Sequence, residues 1–310
     1  MLLTRFETVT SALMGQNLQR IVNHSRAWWY IVMWAHAALD RHGQQVGMPG
    51  TAGGYVVLQN ALQIVSLTDT GLVRDHNEDS VDVDAALGLV VLADGMGGYN
   101  AGEVASAMTT SSILAGMKQH WQPEKAADHV LALDLLQNEI GVANRAVFER
   151  AVSDPECEGM GTTVMACLFH DNLLTVGYLG DSRLYRLRDD VLEQVTHDHS
   201  VLQEQIDAGL LTRDEARMSQ HKNLVTRALG IDPDEEGDML QVPVQVGDLY
   251  LLCSDGLNDM LIDEEIHLTL SLLRVNLKLC AQQLVQAAND AGGNDNISVI
   301  LVNVEQAFPA

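Results

Sequence analysis

Acidic residues stand where short apolar runs of this chain end, and this pattern constrains the fold more than any other feature. Runs such as residues 87–92 and 249–253 are rich in Leu and Val and are short, which is typical of buried strands. The acidic residues beside such runs lie in Asn77-Glu78-Asp79, Asp94-Gly95, Gly180-Asp181-Ser182, Asp255-Gly256 and Asp295-Asn296. A fold that gathers these strand ends must also gather their carboxylates.

Paired strands alternate with helical stretches along the chain. Residues 162–169 and 173–179 flank a short polar turn, as do 184–187 and 191–195, so each pair predicts a β-hairpin. The other predicted strands are 62–67, 87–92, 249–253 and 297–304, and the predicted helices are 103–120, 133–152, 264–273 and 277–291. Hairpins with interspersed helices indicate an α+β sandwich and not a doubly wound parallel sheet.

The charge balance excludes one large class of function. The 310 residues include 42 acidic side chains and 18 Lys and Arg, which gives a formal net charge of -24. Such a charge repels phosphate backbones, so we expect no nucleic-acid partner bound through a general basic surface. The apolar content of 47% also argues against intrinsic disorder.

Residues 1–60 differ from the rest and form an N-terminal extension of unknown role. They include an uncharged run, 27–39, that contains three of the four tryptophans and is too short to span a membrane. The extension is either an additional amphipathic helix or the product of a start placed too far upstream, with Met48 as the true start. A signal peptide or a membrane-surface anchor through residues 27–39 is the alternative.

The cysteines indicate a reducing compartment. Their spacing contains no Cys-x-x-Cys pair, which disfavours a thiolate zinc site, and the chain is not a small disulfide-rich scaffold. We therefore expect buried free thiols and a cytoplasmic protein.

Carboxylates that are gathered at one sheet edge repel one another, and a divalent cation relieves that repulsion. Oxygen ligands without His or Cys select hard ions such as Mg²⁺, Mn²⁺ or Ca²⁺. A single Asp-Gly pair is more often a turn or a helix cap, but five clusters are difficult to explain in that way. An EF-hand starting at Asp75 fails at Ser80 and Ala86, and the glycines after Asp94 lack the Lys-Ser/Thr of a P-loop.

Six motifs together carry a resemblance to a known family. They are Arg74-Asp75-His76-Asn77-Glu78-Asp79, Ala93-Asp94-Gly95-Met96-Gly97-Gly98, Gly159-Met160-Gly161-Thr162-Thr163, Gly180-Asp181-Ser182-Arg183, Ser254-Asp255-Gly256-Leu257 and Gly293-Asn294-Asp295-Asn296-Ile297-Ser298-Val299. In this order they resemble a bacterial metal-dependent serine/threonine protein phosphatase of the type-2C (PPM) class. The resemblance covers roughly residues 62–304 and implies a phosphatase domain over 61–306.

The resemblance implies a four-layer α-β-β-α sandwich with a two-metal site of Mn²⁺ or Mg²⁺ at one edge of the central β-sandwich. In it, Asp94 would bridge both ions. The remaining implied ligands are Glu78 and the Gly95 carbonyl on one ion, Asp255 and Asp295 on the other, and Asp181 with Asp255 on a third, weaker ion. Arg74 would hold the substrate phosphate, while Asp79 and Asn296 would support the ligands from behind.

The implied activity is hydrolysis of phosphoserine and phosphothreonine in proteins by a metal-activated water, in opposition to a bacterial Ser/Thr kinase. The alternative is a pseudophosphatase that binds phosphoproteins with little or no turnover. Eukaryotic members tend to carry a His where this chain has Met96, so the general acid is open between a water and His76. Residues 196–230 match the family's flap beside the active site, and within this flap segment His197 and His199 have the spacing of a minor metal-pair alternative.

Overall fold

Two antiparallel sheets stack face to face in this computed structural model, which describes residues 61–98, 101–122, 127–217, 219 and 224–308. In spatial order, the first sheet consists of β1 (Leu62–Asp69), β11 (Ile297–Val304), β10 (Leu249–Cys253), β7 (Arg183–Arg188) and β8 (Val191–Gln194). The second consists of β2 (Asp79–Asp84), β3 (Leu89–Met96), β5 (Val164–His170), β6 (Leu173–Leu179) and β9 (Asp238–Pro243), with β4 (Gly161–Thr162) paired to β3.

The core between the sheets explains why several strands are apolar throughout. Every residue of β5 and β10 is buried, because each strand faces the opposite sheet on one side and helices on the other. Phe169 and Tyr250 come from different sheets and meet edge to face, with 5.4 Å between ring centroids.

Helices cover the outer face of each sheet. The helices are α1 (Ala101–His120), α2 (His129–Ser153), α3 (Val201–Asp207), α4 (Arg213–Arg217), α5 (Asp255–Asn258), α6 (Asp263–Leu273) and α7 (Leu277–Asp290). Helices α1 and α2 pack on the second sheet through residues such as Ile113 and Leu136, and α5 to α7 pack on the first through Ile266 and Leu284. The α-β-β-α order implied by the resemblance is therefore confirmed.

Both predicted hairpins are present, and their turns follow from residue chemistry. Asp171 and Asn172 connect β5 to β6 with φ of 42° and 57°, and Asp189 and Asp190 connect β7 to β8 with φ of 49° and 61°. Asn and Asp tolerate this left-handed conformation, which matches the twist of a two-residue hairpin.

Two edge strands, the two flap helices and the short helix α5 were not predicted. Strands β2 and β9 lie at opposite edges of the second sheet, where one side has no neighbouring strand among the described residues. Their sequences, DSVDVD and DMLQVP, lack a continuous apolar run because much of each strand stays partly exposed. Helix α2 also begins four residues earlier than predicted, since the Asp128 side chain accepts a hydrogen bond from the N–H of Leu131 (3.0 Å) and caps it.

The two ends of β11 mark the two edges of the sandwich at which the strands begin and end, as distinct from its edge strands. Its first residue, Ile297, pairs with Asp69 and directly follows Asp295 and Asn296, whereas its last residue, Val304, pairs with Leu62. The first edge is the acidic edge predicted from sequence.

Residues 1–60, including the uncharged run 27–39, lie outside the described residues, so the predictions for the extension and for its boundary with 61–306 stay predictions. None of the helices in the described part of the chain is both long and apolar enough to cross a membrane.

Candidate metal centre

Strand pairing brings the predicted acidic residues to one edge. Asp79 at the start of β2 lies directly opposite Asp94 near the end of β3. Asp255 begins α5 two residues after the last residue of β10, and Asp295 lies two residues before β11, the strand paired with β10. Asp181 lies in the turn between β6 and β7, which joins the two sheets.

The carboxylates at this edge raise one another's pKa. Burial, followed by the charges of Asp79, Asp255 and other neighbouring aspartates, raises the pKa of Asp94 well above its ordinary value. Burial and the charge of Asp181 do the same to the pKa of Asp255. The pKa of Asp79 rises to about 6 and that of Asp181 to about 7, in both cases chiefly because burial penalises the charged form.

Access from solvent differs among these groups. Asp79 and Asp181 are buried, whereas Asp94 and Asp255 are partly exposed. The partly exposed pair is where a hydrated cation could reach the cluster. The donor set fits Mg²⁺ or Mn²⁺, because these ions prefer carboxylate and carbonyl oxygens.

The spacing of the carboxylates does not form a complete metal site from protein ligands alone. Within the described ranges, no three acidic, imidazole or thiol groups are placed so that they could hold one ion. Mg²⁺ commonly binds proteins through only one or two carboxylates and retains several waters. The arrangement therefore suits hydrated ions that share ligands, and it does not suit a closed all-protein site.

Gly95 is required where β3 meets the start of α1. Its N–H donates to the carbonyl of Glu78 (3.1 Å). A Cβ atom at Gly95 would collide with the backbone carbonyls of Gly102 and Glu78. The predicted ligand Glu78 and the predicted carbonyl ligand Gly95 are thus held side by side by backbone contacts.

Asn296 fixes the loop that carries Glu78 and Arg74. Its Oδ1 accepts from the N–H of Glu78 (2.8 Å), and its Nδ2 donates to the carbonyls of Thr70 (2.9 Å) and His76 (3.0 Å). The half-exposed guanidinium of Arg74 lies at the rim, where its Nη2 donates to Asp295 Oδ2 (2.6 Å).

Three buried hydroxyls support the aspartates, and no role was predicted for them from the sequence. Ser254 Oγ donates to Asp79 Oδ2 (2.8 Å) and accepts from the N–H of Ser298 (3.0 Å). Thr163 Oγ1 accepts from the N–H of Asp94 (3.0 Å) and shares a hydrogen bond of 2.9 Å with Ser182 Oγ. All three hydroxyl residues lie inside the six motifs, which is the only sequence signal that could have singled them out.

The histidines have different surroundings. His76 Nε2 lies 3.2 Å from Glu78 Oε1, at the rim of the cluster. His197 Nε2 contacts Asp207 Oδ2 (2.7 Å), whereas His199 Nδ1 accepts from the N–H of Gly180 (3.1 Å). Because each ring is engaged separately, His197 and His199 do not form the metal pair that their spacing allowed.

Sequence comparisons find similar proteins that are named phosphatases. A family model described as "Protein phosphatase 2C" matches residues 69–297. The serine/threonine protein phosphatase PstP of Mycobacterium tuberculosis is 38% identical over 243 residues, which is 78% of this chain and 45% of PstP. The chain thus spans less than half the length of that relative. The serine/threonine phosphatase stp of Listeria innocua is 36% identical over 239 residues, or 76% of this chain and 93% of the relative.

Solved structures agree with these comparisons. The M. tuberculosis serine/threonine phosphatase PstP/Ppp has a TM-score of 0.72 and 37% identity, covering 79% of this chain and all of that chain. The PstP catalytic domain, solved in complex with two manganese ions, has a TM-score of 0.70 and 38% identity, covering 79% of this chain and 99% of that one.

Proposed function

This chain belongs to the protein phosphatase 2C family, and from that premise we propose that it is a Mn²⁺- or Mg²⁺-dependent phosphatase of phosphoserine and phosphothreonine in proteins. The observation that carries the proposal is the carboxylate cluster around Asp94, whose members raise one another's pKa at the edge of the sandwich. Several ionised carboxylates at such close quarters are costly unless a multivalent cation neutralises them.

We assign the metal ligands residue by residue. Asp94 would bridge two ions, with Glu78 and the Gly95 carbonyl on one of them. Asp255 and Asp295 would join Asp94 on the other ion, whose binding would have to draw these three carboxylates together. Asp181 and Asp255 would hold a third, weaker ion. The contacts of Asp79 with Ser254 and of Asn296 with the Glu78 backbone support these assignments, because they fix the strand end and the loop that carry the ligands.

Arg74 is assigned to the substrate phosphate. Its guanidinium is half-exposed at the rim and is oriented by Asp295, so a phosphoryl group could replace or share that contact. The planar guanidinium can donate two parallel hydrogen bonds to phosphate oxygens, which orients the phosphorus toward the cluster.

Divalent cations at such a site supply Lewis acidity, which lowers the pKa of water and offsets charge that develops on the phosphate. The chain supplies the rest of the mechanism. Asp94 and its neighbours stay ionised once their charge is balanced, and Arg74 holds the phosphate in line with the cluster. The buried cysteine thiols are not needed as nucleophiles, since hydrolysis of this type needs no covalent phosphoenzyme. The pKa of Cys167 and Cys253 is raised by burial, which keeps these two thiols protonated.

We further propose that the protein works in a cytoplasm and opposes a Ser/Thr kinase. The four buried free cysteines support a reducing compartment. The kinase follows from the chemistry, because a phosphoprotein phosphatase needs an activity that supplies phosphoserine or phosphothreonine.

The test is hydrolysis of p-nitrophenyl phosphate and of a phosphothreonine peptide by the full chain after chelation, with Mn²⁺, Mg²⁺ or Ca²⁺ added back. We expect Mn²⁺ or Mg²⁺ to restore activity on both substrates. A folded protein that stays inactive with every ion, yet binds the phosphopeptide, would favour the pseudophosphatase alternative.

A further inference from the structure

His199 forms two hydrogen bonds with Gly180, the residue that precedes Asp181. The backbone N–H of His199 donates to the carbonyl of Gly180 (2.9 Å), and His199 Nδ1 accepts from the Gly180 N–H (3.1 Å). Gly180 has φ of 108°, and a Cβ atom there would run into Thr163, so its backbone has little freedom to move. The two hydrogen bonds therefore fix the entry to the turn that carries Asp181.

The ring of His199 is itself fixed from three sides. It is buried, and it stacks on Tyr178 with 5.2 Å between centroids and 7° between planes. Its Nε2 lies 3.3 Å from Asp238 Oδ2 and 3.2 Å from Arg227 Nη1. Because Nδ1 is an acceptor, the ring proton belongs on Nε2, which can then donate to Asp238. Arg227 Nη1 is also a donor, so its hydrogen bond goes to Asp238 Oδ1 and not to the ring.

The same residue connects the two ends of the flap segment, residues 196–230. The carbonyl of His199 accepts from the N–H of Thr226 (2.8 Å), and Ser200 forms a β-bridge with Val225. Arg227 follows directly and donates to Asp238 Oδ1 (2.7 Å) and Glu235 Oε1 (2.9 Å). Residues 199–200 and 225–227 form the base of this segment, here called the flap base. A displacement of the flap base would therefore move His199, and with it Gly180.

We propose that His199 is a positioning residue that sets the orientation of Asp181 and makes it depend on the flap segment. The inference rests on the proposed function, since Asp181 is given a metal-binding role there. His199 does not touch the reacting atoms; it acts through the two hydrogen bonds to Gly180. A ligand that shifts the flap base would be sensed at Asp181 by the same route.

Two substitutions separate positioning from simple ring packing. His199→Asn keeps an acceptor oxygen near the position of Nδ1, whereas His199→Gln moves the acceptor toward the position of Nε2. Both remove the stacked ring, so a packing role alone would make the two variants equally defective. The matched control is His197→Gln, because His197 is an exposed histidine two residues away whose ring contacts Asp207.

The experiment measures kcat and KM of the full chain on p-nitrophenyl phosphate with Mn²⁺, together with amide hydrogen exchange at Gly180. We expect His199→Gln to lose about tenfold in kcat with little change in KM, since one misplaced hydrogen bond near a reacting group commonly has an effect of this size. We expect His199→Asn to stay within about threefold of the wild type and His197→Gln to match it. The Gly180 amide should exchange faster in His199→Gln only.

Equal losses in the two His199 variants would overturn the proposal. So would a wild-type protein whose His199 carries its proton on Nδ1 by nitrogen NMR, a measurement that needs no variant to fold. If the wild type itself hydrolyses nothing with any metal, the proposed function fails. The exchange rate of the Gly180 amide in the variants then still decides whether His199 positions the turn.

Discussion

The charges of buried carboxylates are balanced differently near the two ends of β11. At the C-terminal end, the carbonyl of Asp248 accepts from the N–H of Val304, and the Asp248 side chain is 1% exposed. Arg188 neutralises that carboxylate with two hydrogen bonds, Nε to Oδ1 (2.7 Å) and Nη2 to Oδ2 (2.6 Å). Tyr250 and the N–H of Gln245 also donate to it.

At the N-terminal end, the buried carboxylate of Asp79 has a hydroxyl where Asp248 has a guanidinium. Ser254 donates to it, and Asp94 faces it across the strand pair. Among the residues that the structure describes, no Arg or Lys forms an ion pair with Asp79 or Asp94. The chain can therefore neutralise a buried aspartate with its own arginine, whereas at Asp94 the proposed function leaves that task to a bound cation.

The largest effect should come from removing the central charge of the acidic edge. Asp94→Asn should lower kcat on a phosphothreonine peptide by on the order of 10³-fold, because a neutral amide cannot bridge two cations. The same substitution should raise the melting temperature of the chelated protein, since it removes repulsion from Asp79 and Asp255. Wild-type turnover in Asp94→Asn would show that the acidic edge does not need this charge for activity.

At the C-terminal end of β11, a substitution of Asp248 should lower stability and leave turnover unchanged. Asp248→Asn should lower the free energy of unfolding by about 2–3 kcal/mol, because it leaves the partly buried Arg188 without its counter-charge. Turnover per folded molecule should stay near that of the wild type. Urea unfolding and kcat, measured beside Asp94→Asn, check this crossed pattern; a loss of kcat in Asp248→Asn without unfolding would contradict it.

Arg74 and Arg188 should likewise differ in what they contribute. Arg74→Ala should raise KM for a phosphothreonine peptide by roughly 10- to 100-fold and change stability little, because Arg74 is half-exposed and is assigned to the phosphate. Arg74→Lys should recover only part of the lost affinity, because it keeps the positive charge but its ammonium group cannot form the planar double contact. Steady-state kinetics give both values, and an unchanged KM in Arg74→Ala would remove the phosphate assignment.

The contribution of the Ser254 hydroxyl to the carboxylate of Asp79 can be tested directly. Ser254→Ala should cost about 1–2 kcal/mol of stability, because Asp79 loses the Ser254 hydroxyl as a donor and the N–H of Ser298 loses its acceptor. It should also raise the pKa of Asp79 further above its ordinary range. Thermal unfolding measures the first effect, and carboxyl-carbon NMR of Asp79 measures the second; a pKa that stays the same would show that Ser254 does not hold this carboxylate.

A further prediction concerns pH. In the metal-free protein the pKa of Asp79 is about 6 and that of Asp181 about 7, against an ordinary value of 3.8. Between about pH 4 and pH 7 the native chain therefore holds protons that the unfolded chain has lost, so this contribution to stability falls as pH rises. The melting temperature of the chelated protein should decline across this window. Mn²⁺ should raise it more at pH 8 than at pH 5, and an equal increase at both values would contradict the linkage.

Much of this fold could be predicted because its signals are local. The buried strands β5 and β10 are short apolar runs, and the hairpin turns use Asp171, Asn172, Asp189 and Asp190, which tolerate positive φ. Edge strand β2 could not be found in the same way. Its apolar residues are limited to Val81 and Val83, which alternate with Asp82 and Asp84 and pack against the core between the sheets, so the strand has a short alternating pattern and no apolar run.

The candidate site shows the same limit. Asp94, Asp255 and Asp295 stand out because each adjoins an apolar run, and the resemblance orders them into a site. Ser254, Thr163 and His199 gain their importance only from folding, which brings Ser254 to Asp79 across 175 residues of chain and His199 to Gly180. Such long-range partners leave no periodic or compositional trace in the sequence.

The most direct test of the central claim is the number of Mn²⁺ ions that the chelated full chain binds, measured by titration calorimetry at pH 7.5 for the wild type and for Asp94→Asn. If the acidic edge is built for cations, the wild type should bind at least two ions, and Asp94→Asn should lose tight binding of both because the bridge between them is gone. Equal stoichiometry and affinity in the two proteins would contradict the account, since the carboxylates around Asp94 would then have some purpose other than holding metal.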